Sequence, residues 1–153
     1  MKLKLKLFII LTAALGLTAC AFFASNTGQA ALNTAAEGIT TTIIADHPGD
    51  AAALKSIATA LPTLLGTTAA ASTPASLSAI VSKLAAGTSL TPASQLKFAG
   101  WFDGVVRNAN SYLGGSGGTD SIAGAVANQF LQVVSSGMLS GVALAASQPG
   151  AGG

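Results

Sequence analysis

Three groups of residues in this 153-residue chain are of types that could do chemistry. Cys20, the single cysteine, follows Leu17-Thr18-Ala19 at the end of an apolar run and offers one thiol for modification. Asp46, His47 and Asp50 bring two carboxylates and the only imidazole together, side chains of the kind that bind divalent metals. They flank Pro48-Gly49, however, and supply too few ligands to close a metal site, so the spacing reads as a solvated turn followed by a helix cap. Asp103 and Arg107, at i and i+4, read as a surface ion pair. Serines are abundant, but no nucleophile elbow sets one beside His47 and an aspartate. Gly114 to Gly118 lack the lysine and the preceding strand of a phosphate loop. No catalytic, cofactor-binding or metal-binding residue is expected, and the chain reads as a non-enzyme.

Cys20 is positioned by the segment in front of it. Lys2, Lys4 and Lys6 form a positive n-region, Phe8 to Leu17 an apolar stretch, and Thr18 and Ala19 are small where a peptidase must fit extended backbone. Thirteen residues separate Lys6 from Cys20. A membrane-spanning helix needs roughly 20. Leu17-Thr18-Ala19-Cys20 resembles the bacterial lipobox, which runs Leu, a small or β-branched residue, Ala or Gly, then Cys. That resemblance implies a diacylglyceryl group on the Cys20 thiol, cleavage between Ala19 and Cys20 by signal peptidase II, and acylation of the new amino group with chains such as palmitate. Two or three chains hold a protein stably on a bilayer, whereas one does so only marginally. Among envelope lipoproteins an Asp after the cysteine is associated with inner-membrane retention. Ala21 stands here instead, so the implied location is the bacterial cell envelope, with the outer membrane favoured in a Gram-negative host.

Removing residues 1–19 changes the charge that matters. The whole chain carries +2, but three lysines lie in the leader. Lys55, Lys83, Lys97 and Arg107 then face Glu37, Asp46, Asp50, Asp103 and Asp120, a formal charge of −1. No basic patch remains to track phosphates, so nucleic acid is not an expected partner. An acylated Cys20 also leaves no thiol for a disulfide, redox or metal site. The remaining chain has the length of one small domain, rich in alanine and glycine, whose small side chains each bury little area.

Residues 20–27 read as a lipidated tether in which Phe22 and Phe23 either dip into the headgroup region or pack on the first helix. A helical domain follows over 28–113. Leu32, Ala36, Ile39 and Ile43 recur at offsets of four, three and four, a helix stripe, although the β-branched run Ile39 to Ile44 favours a strand locally. Pro48-Gly49 ends that element. Asp50 is placed to cap a second helix with Leu54, Ile57, Leu61 and Leu64 on one face, which Pro62 kinks or truncates and Gly66 stops. Residues 67–73 read as a loop.

Thr73-Pro74-Ala75-Ser76 and Thr91-Pro92-Ala93-Ser94 are two helix starts of the same kind, threonine capping and proline at the first helical position. The first opens a helix with Leu77, Ile80, Val81 and Leu84 on one face, closed by Gly87. The second opens a longer one with Leu96, Ala99, Phe102, Val106 and Leu113 along one side and Phe98, Trp101, Val105 and Tyr112 beside them. The rings read mainly as core, with Trp101 and Tyr112 alternatively marking a membrane or partner surface. Residues 114–118 form a Gly-rich linker. A final helix over 119–146, capped by Thr119 or Asp120 and uncharged from Ser121 onwards, is long enough to span a bilayer, but Asn128, Gln129, Gln132, Ser135, Ser136 and Ser140 give it a polar side opposite Ile122, Val126, Phe130, Val133 and Val134. Small residues over 136–141 suit a close helix crossing. The tail, 147–153, reads as disordered.

Leu90-Thr91-Pro92-Ala93-Ser94-Gln95-Leu96 and the helix behind it are loosely similar to small alanine-rich helical lipoproteins of bacteria and prophages, a resemblance that implies no site residues. The expected fold is all-α, a small bundle of about five helices after a cleaved signal peptide. The expected function is that of a membrane-anchored envelope lipoprotein, held through lipid on Cys20 and acting by binding or structural contact with an envelope protein partner. The alternative is a membrane-active protein of the lysis or superinfection-exclusion type, whose last helix inserts. The sequence leaves the oligomeric state open.

Overall fold

A computed structural model of the chain describes residues 26–66, 73–112 and 124–148. Five α-helices account for most of them: α1 Asn26–Asp46, α2 Ala51–Ala60, α3 Pro74–Ala86, α4 Pro92–Tyr112 and α5 Gly124–Ser147. There is no strand among the described residues, so the fold is an all-α bundle. The leader, Cys20, the linker over 114–118, Ile122, Leu113 and residues 149–153 lie outside the described residues.

The β-branched run does not make α1 a strand. Leu32, Ala36, Thr40, Ile43 and Ile44 are buried along one face, and the threonines turn their hydroxyls back onto the helix. Thr40 Oγ1 donates to the Ala36 carbonyl at 2.8 Å and Thr42 Oγ1 to that of Gly38 at 2.8 Å. Each hydroxyl is satisfied within the helix, which leaves helix–helix packing to decide the conformation. Pro48 then forces a short 3₁₀ turn, Pro48–Asp50, before α2.

In α2, Leu54 and Ile57 are buried and Leu61 continues their face in a second 3₁₀ turn, Leu61–Thr63. Pro62 sits inside that turn, and Gly66 ends the segment with φ at 67°, in the left-handed region that glycine adopts without strain. α3 opens as its sequence predicts. The Thr73 side chain accepts from the Ser76 N–H at 3.1 Å, while Ser76 Oγ accepts from the Thr73 N–H at 2.9 Å.

Side-chain pairings fix the directions of the helices. Gly137 meets α1 at Asn33 and Ala36, and Gly141 meets it at Glu37 and Thr40, so α1 and α5 run parallel. Ser135 bonds to Ala58 and Asn128 to Gly66, so α2 runs antiparallel to α5. α1, α2 and α5 form one layer; α3 and α4 form an antiparallel hairpin joined across by Ser78 and Asp103. The two units meet differently from the helices within the first. At the α1–α5 crossing the glycines let backbone touch backbone, whereas the hairpin stands off by the length of its side chains. Phe98 and Phe102 of α4 fill that gap with Phe130 of α5, the Phe102 and Phe130 rings meeting edge-on at 5.7 Å.

Two packing expectations are corrected. Leu96 is 77% exposed. The buried positions of α4 are Ser94, Phe98, Phe102 and Val106, and Leu96, two residues from both Ser94 and Phe98, points about 200° away from them. Ser135, assigned to the polar side of α5, is buried against α2.

Candidate functional site

Asp46, His47 and Asp50 lie at one pole, where the α1–α2 turn meets the start of α4. Asp46 ends α1 and pairs with Lys97 of α4. His47, half-buried, bridges to the 3₁₀ turn, and its backbone N–H donates to the Ile43 carbonyl at 2.8 Å. Asp50 is only 2% exposed. Its position is that of the α2 N-cap, as expected, but its side chain makes no capping bond to α2. It reaches across to α4 instead. Asp50 Oδ1 accepts from the Thr91 N–H at 3.1 Å, and Oδ2 accepts from Thr91 Oγ1 at 2.8 Å.

Thr91 Oγ1 also lies 2.9 Å from Ser94 Oγ and 3.4 Å from the Ser94 N–H. The two TPAS starts therefore work differently. The first is a self-contained capping box. The second has handed part of its capping to a carboxylate 41 residues earlier, and that negative charge sits where the α4 dipole favours it.

The electrostatics follow from these partners. Burial pushes Asp50 towards protonation and is the largest influence on it, but hydrogen bonds from Ser94 and Thr91, with His47 nearby, together hold its carboxyl below the usual value. The Lys97 ammonium lowers Asp46 by hydrogen bond and by charge. On the hairpin, the Arg107 guanidinium lowers Asp103, aided by the Ser78 hydroxyl; Arg107 Nε donates to Asp103 at 2.7 Å and Ser78 Oγ at 2.8 Å. The ion pair expected from the i, i+4 spacing is present, with an added tie to α3.

The cluster is built to join helices. No group of three or more His, Cys, Asp or Glu side chains suited to a metal occurs among the described residues. Asp46 and Asp50 turn towards different donors on α4 and do not converge on a point shared with His47. A shallow open depression along α2, lined by Ala52, Lys55, Ser56, Thr59 and Ala60, offers one ammonium group and no carboxylate or imidazole. The segment Val126–Ser147 of α5 is long and apolar enough to cross a membrane by length and composition, and it is also the helix that α1 and α2 pack against. Sequence reasoning did not anticipate the Asp50–Thr91 tie, since nothing local marks a partner so far along the chain. The signal, in retrospect, is an aspartate beside Pro-Gly in a chain whose second TPAS start lacks an acidic residue in its first turn. No protein family, curated protein or solved structure matches this chain.

Proposed function

We propose that the protein is a lipid-anchored component of the bacterial envelope that works by binding or structural contact, without catalysis. The observation that carries this reading is Leu17-Thr18-Ala19-Cys20 at the end of a basic, then apolar leader. Five residues separate Cys20 from the start of α1 at Asn26, a reach of at most about 22 Å. A lipid on Cys20 thus keeps the bundle at the bilayer surface. α1 leads away from the anchor, and a helix of 21 residues is about 31 Å long. The Asp46–Asp50 turn is then the pole carried farthest along α1 from the lipid. The four carboxylates of the described residues support a non-catalytic role, because each is already engaged: Glu37 by Ser140, Asp46 by Lys97, Asp50 by Thr91, and Asp103 by Arg107 and Ser78.

Metabolic labelling of the full chain with palmitate tests this. The wild type should take up label and fractionate with membranes. Cys20→Ser should lose the label and accumulate as the uncleaved form. An unlabelled wild type, or a Cys20→Ser chain that is still cut at the same bond, rejects the reading.

A second reading, insertion of α5, is favoured by the apolar stretch Val126–Ser147. Alkaline carbonate extraction of a Cys20→Ser chain whose leader has been replaced by an ordinary cleavable one separates the two. Release into the supernatant is expected of a lipid-held bundle, and retention in the pellet of an inserted α5.

A further inference from the structure

Among the described residues, the polar ties between the α3–α4 hairpin and the α1–α2–α5 layer gather at one turn. Asp46 holds Lys97, and Asp50 holds Thr91 together with Ser94. Other long-range polar contacts of the described residues lie within a unit: Ser135 to Ala58, Ser140 to Glu37 and Asn128 to Gly66 inside the layer, Ser78 to Asp103 inside the hairpin. In both cross-ties the layer supplies the carboxylate and the hairpin the donor. The two units also meet through the side-chain seam of Phe98, Phe102 and Phe130 with its neighbours.

We propose that Asp46 and Asp50 are an acid-labile clasp: while both are ionised the hairpin is held on the layer, and protonation of Asp50 lets it swing off at this pole and bare the aromatic seam. A carboxylate accepts from both the N–H and the hydroxyl of Thr91, whereas the protonated acid loses acceptor capacity and must place a proton of its own among donors. It does so nine-tenths buried, where an unmatched polar group is costly. Asp46–Lys97 is exposed and adds little by itself. The charged group acting on Asp50 is His47, and those acting on Asp46 are Lys97 and His47. All favour the ionised carboxylates, so the clasp opens only in the acid range where the carboxylates themselves titrate. The tight α1–α5 crossing is made by Gly137 and Gly141 against the α1 backbone, away from this turn.

Trp101 is the only tryptophan, and it lies on the hairpin against Phe98 and Phe102, at 6.2 and 6.5 Å between ring centres. Partly buried against the core, it changes surroundings when the seam opens. In acid titrations of the full chain in non-ionic detergent, Trp101 emission and its quenching by acrylamide should change at higher pH than the loss of helical circular dichroism. Thr91→Val keeps the carboxylate and the N–H donor but removes the hydroxyl. It should move the Trp101 transition up by about one pH unit, the scale of one donor lost to a buried charge. Asp50→Asn should make Trp101 emission insensitive over the same range. If Asp50→Asn does not fold, Thr91→Val carries the test alone. The clasp is refuted if fluorescence and circular dichroism move in one transition, or if Thr91→Val leaves the Trp101 midpoint unmoved.

Discussion

The Ser135 hydroxyl donates to the Ala58 carbonyl at 2.6 Å, and Ala58 is the residue four positions before Pro62. An α-helix would satisfy that carbonyl with the amide hydrogen of residue 62. Proline has none. The 3₁₀ turn in which α2 ends at Pro62 thus leaves a buried acceptor, and α5 supplies the donor from 77 residues further on. Ser135→Ala should destabilise the bundle by about 1–3 kcal/mol, the usual cost of stranding a buried backbone group. Denaturant unfolding measures it. Pro62→Ala restores an amide hydrogen, so in the Ser135→Ala background it should recover part of the loss, and a double-mutant cycle should show coupling between the two positions. Additive effects would mean that the hydroxyl is not standing in for the missing N–H.

Gly137 and Gly38 make opposite predictions for the same substitution. A Cβ on Gly137 would lie 2.2 Å from the Asn33 carbonyl oxygen and 2.8 Å from Ala36 Cβ. Neither neighbour is the end of a flexible chain, so α1 and α5 must separate. Gly137→Ala should cost about 1–3 kcal/mol or more. A Cβ on Gly38 meets nothing within 4 Å on the outer face of α1, and Gly38→Ala should stabilise by about 0.5–1 kcal/mol by restricting the unfolded chain. Thermal unfolding of the two variants should move in opposite directions.

Helix stripes and caps were legible in the sequence because their causes are local. Leu54, Ile57 and Leu61 share a face by spacing alone, and Thr73-Pro74 starts a helix through groups three residues apart. What was not legible depends on partners far along the chain. Asp50 looks like a cap for the helix it precedes, and only the arrival of Thr91 redirects it. Ser135 looks like surface until Ala58 is seen to need a donor. Leu96 fits an apolar stripe with Ala99 and Phe102, but the heavier rings of Phe98 and Phe102 set which side of α4 turns inward. The run Ile39 to Ile44 carried a strand tendency that packing against α5 overrode.

The two threonine caps should differ in worth. Thr73 serves only its own helix, and Thr73→Ala should cost about 1 kcal/mol. Thr91 caps α4 and also satisfies the buried Asp50. Thr91→Ala should therefore cost more than Thr73→Ala, by about 1 kcal/mol or more for the charged acceptor left short of a donor. Leu96→Lys, at an exposed site on α4, should change stability by no more than about 0.5 kcal/mol. Equal losses at Thr73 and Thr91 in parallel denaturant melts would contradict the division of labour between the two TPAS starts.

Asp103 provides the control for the behaviour of Asp50 in acid. Its carboxyl is held below the usual range first by Arg107 and then by Ser78. A lowered folded-state value means that the stabilisation is complete above the ordinary carboxylate pKa and disappears as the pH falls through the depressed one. Removing either donor should raise the Asp103 midpoint in a carboxyl NMR titration, Arg107→Ala by more than Ser78→Ala. Asp103 is partly solvated and its partners belong to the hairpin itself. Its protonation therefore loosens α3 against α4 without cutting a tie to the layer. Ser78→Ala should leave the Trp101 acid transition in place while Thr91→Val moves it. If both substitutions move that transition alike, acid is loosening the hairpin from within, and the α1–α2 turn has no special part in holding it.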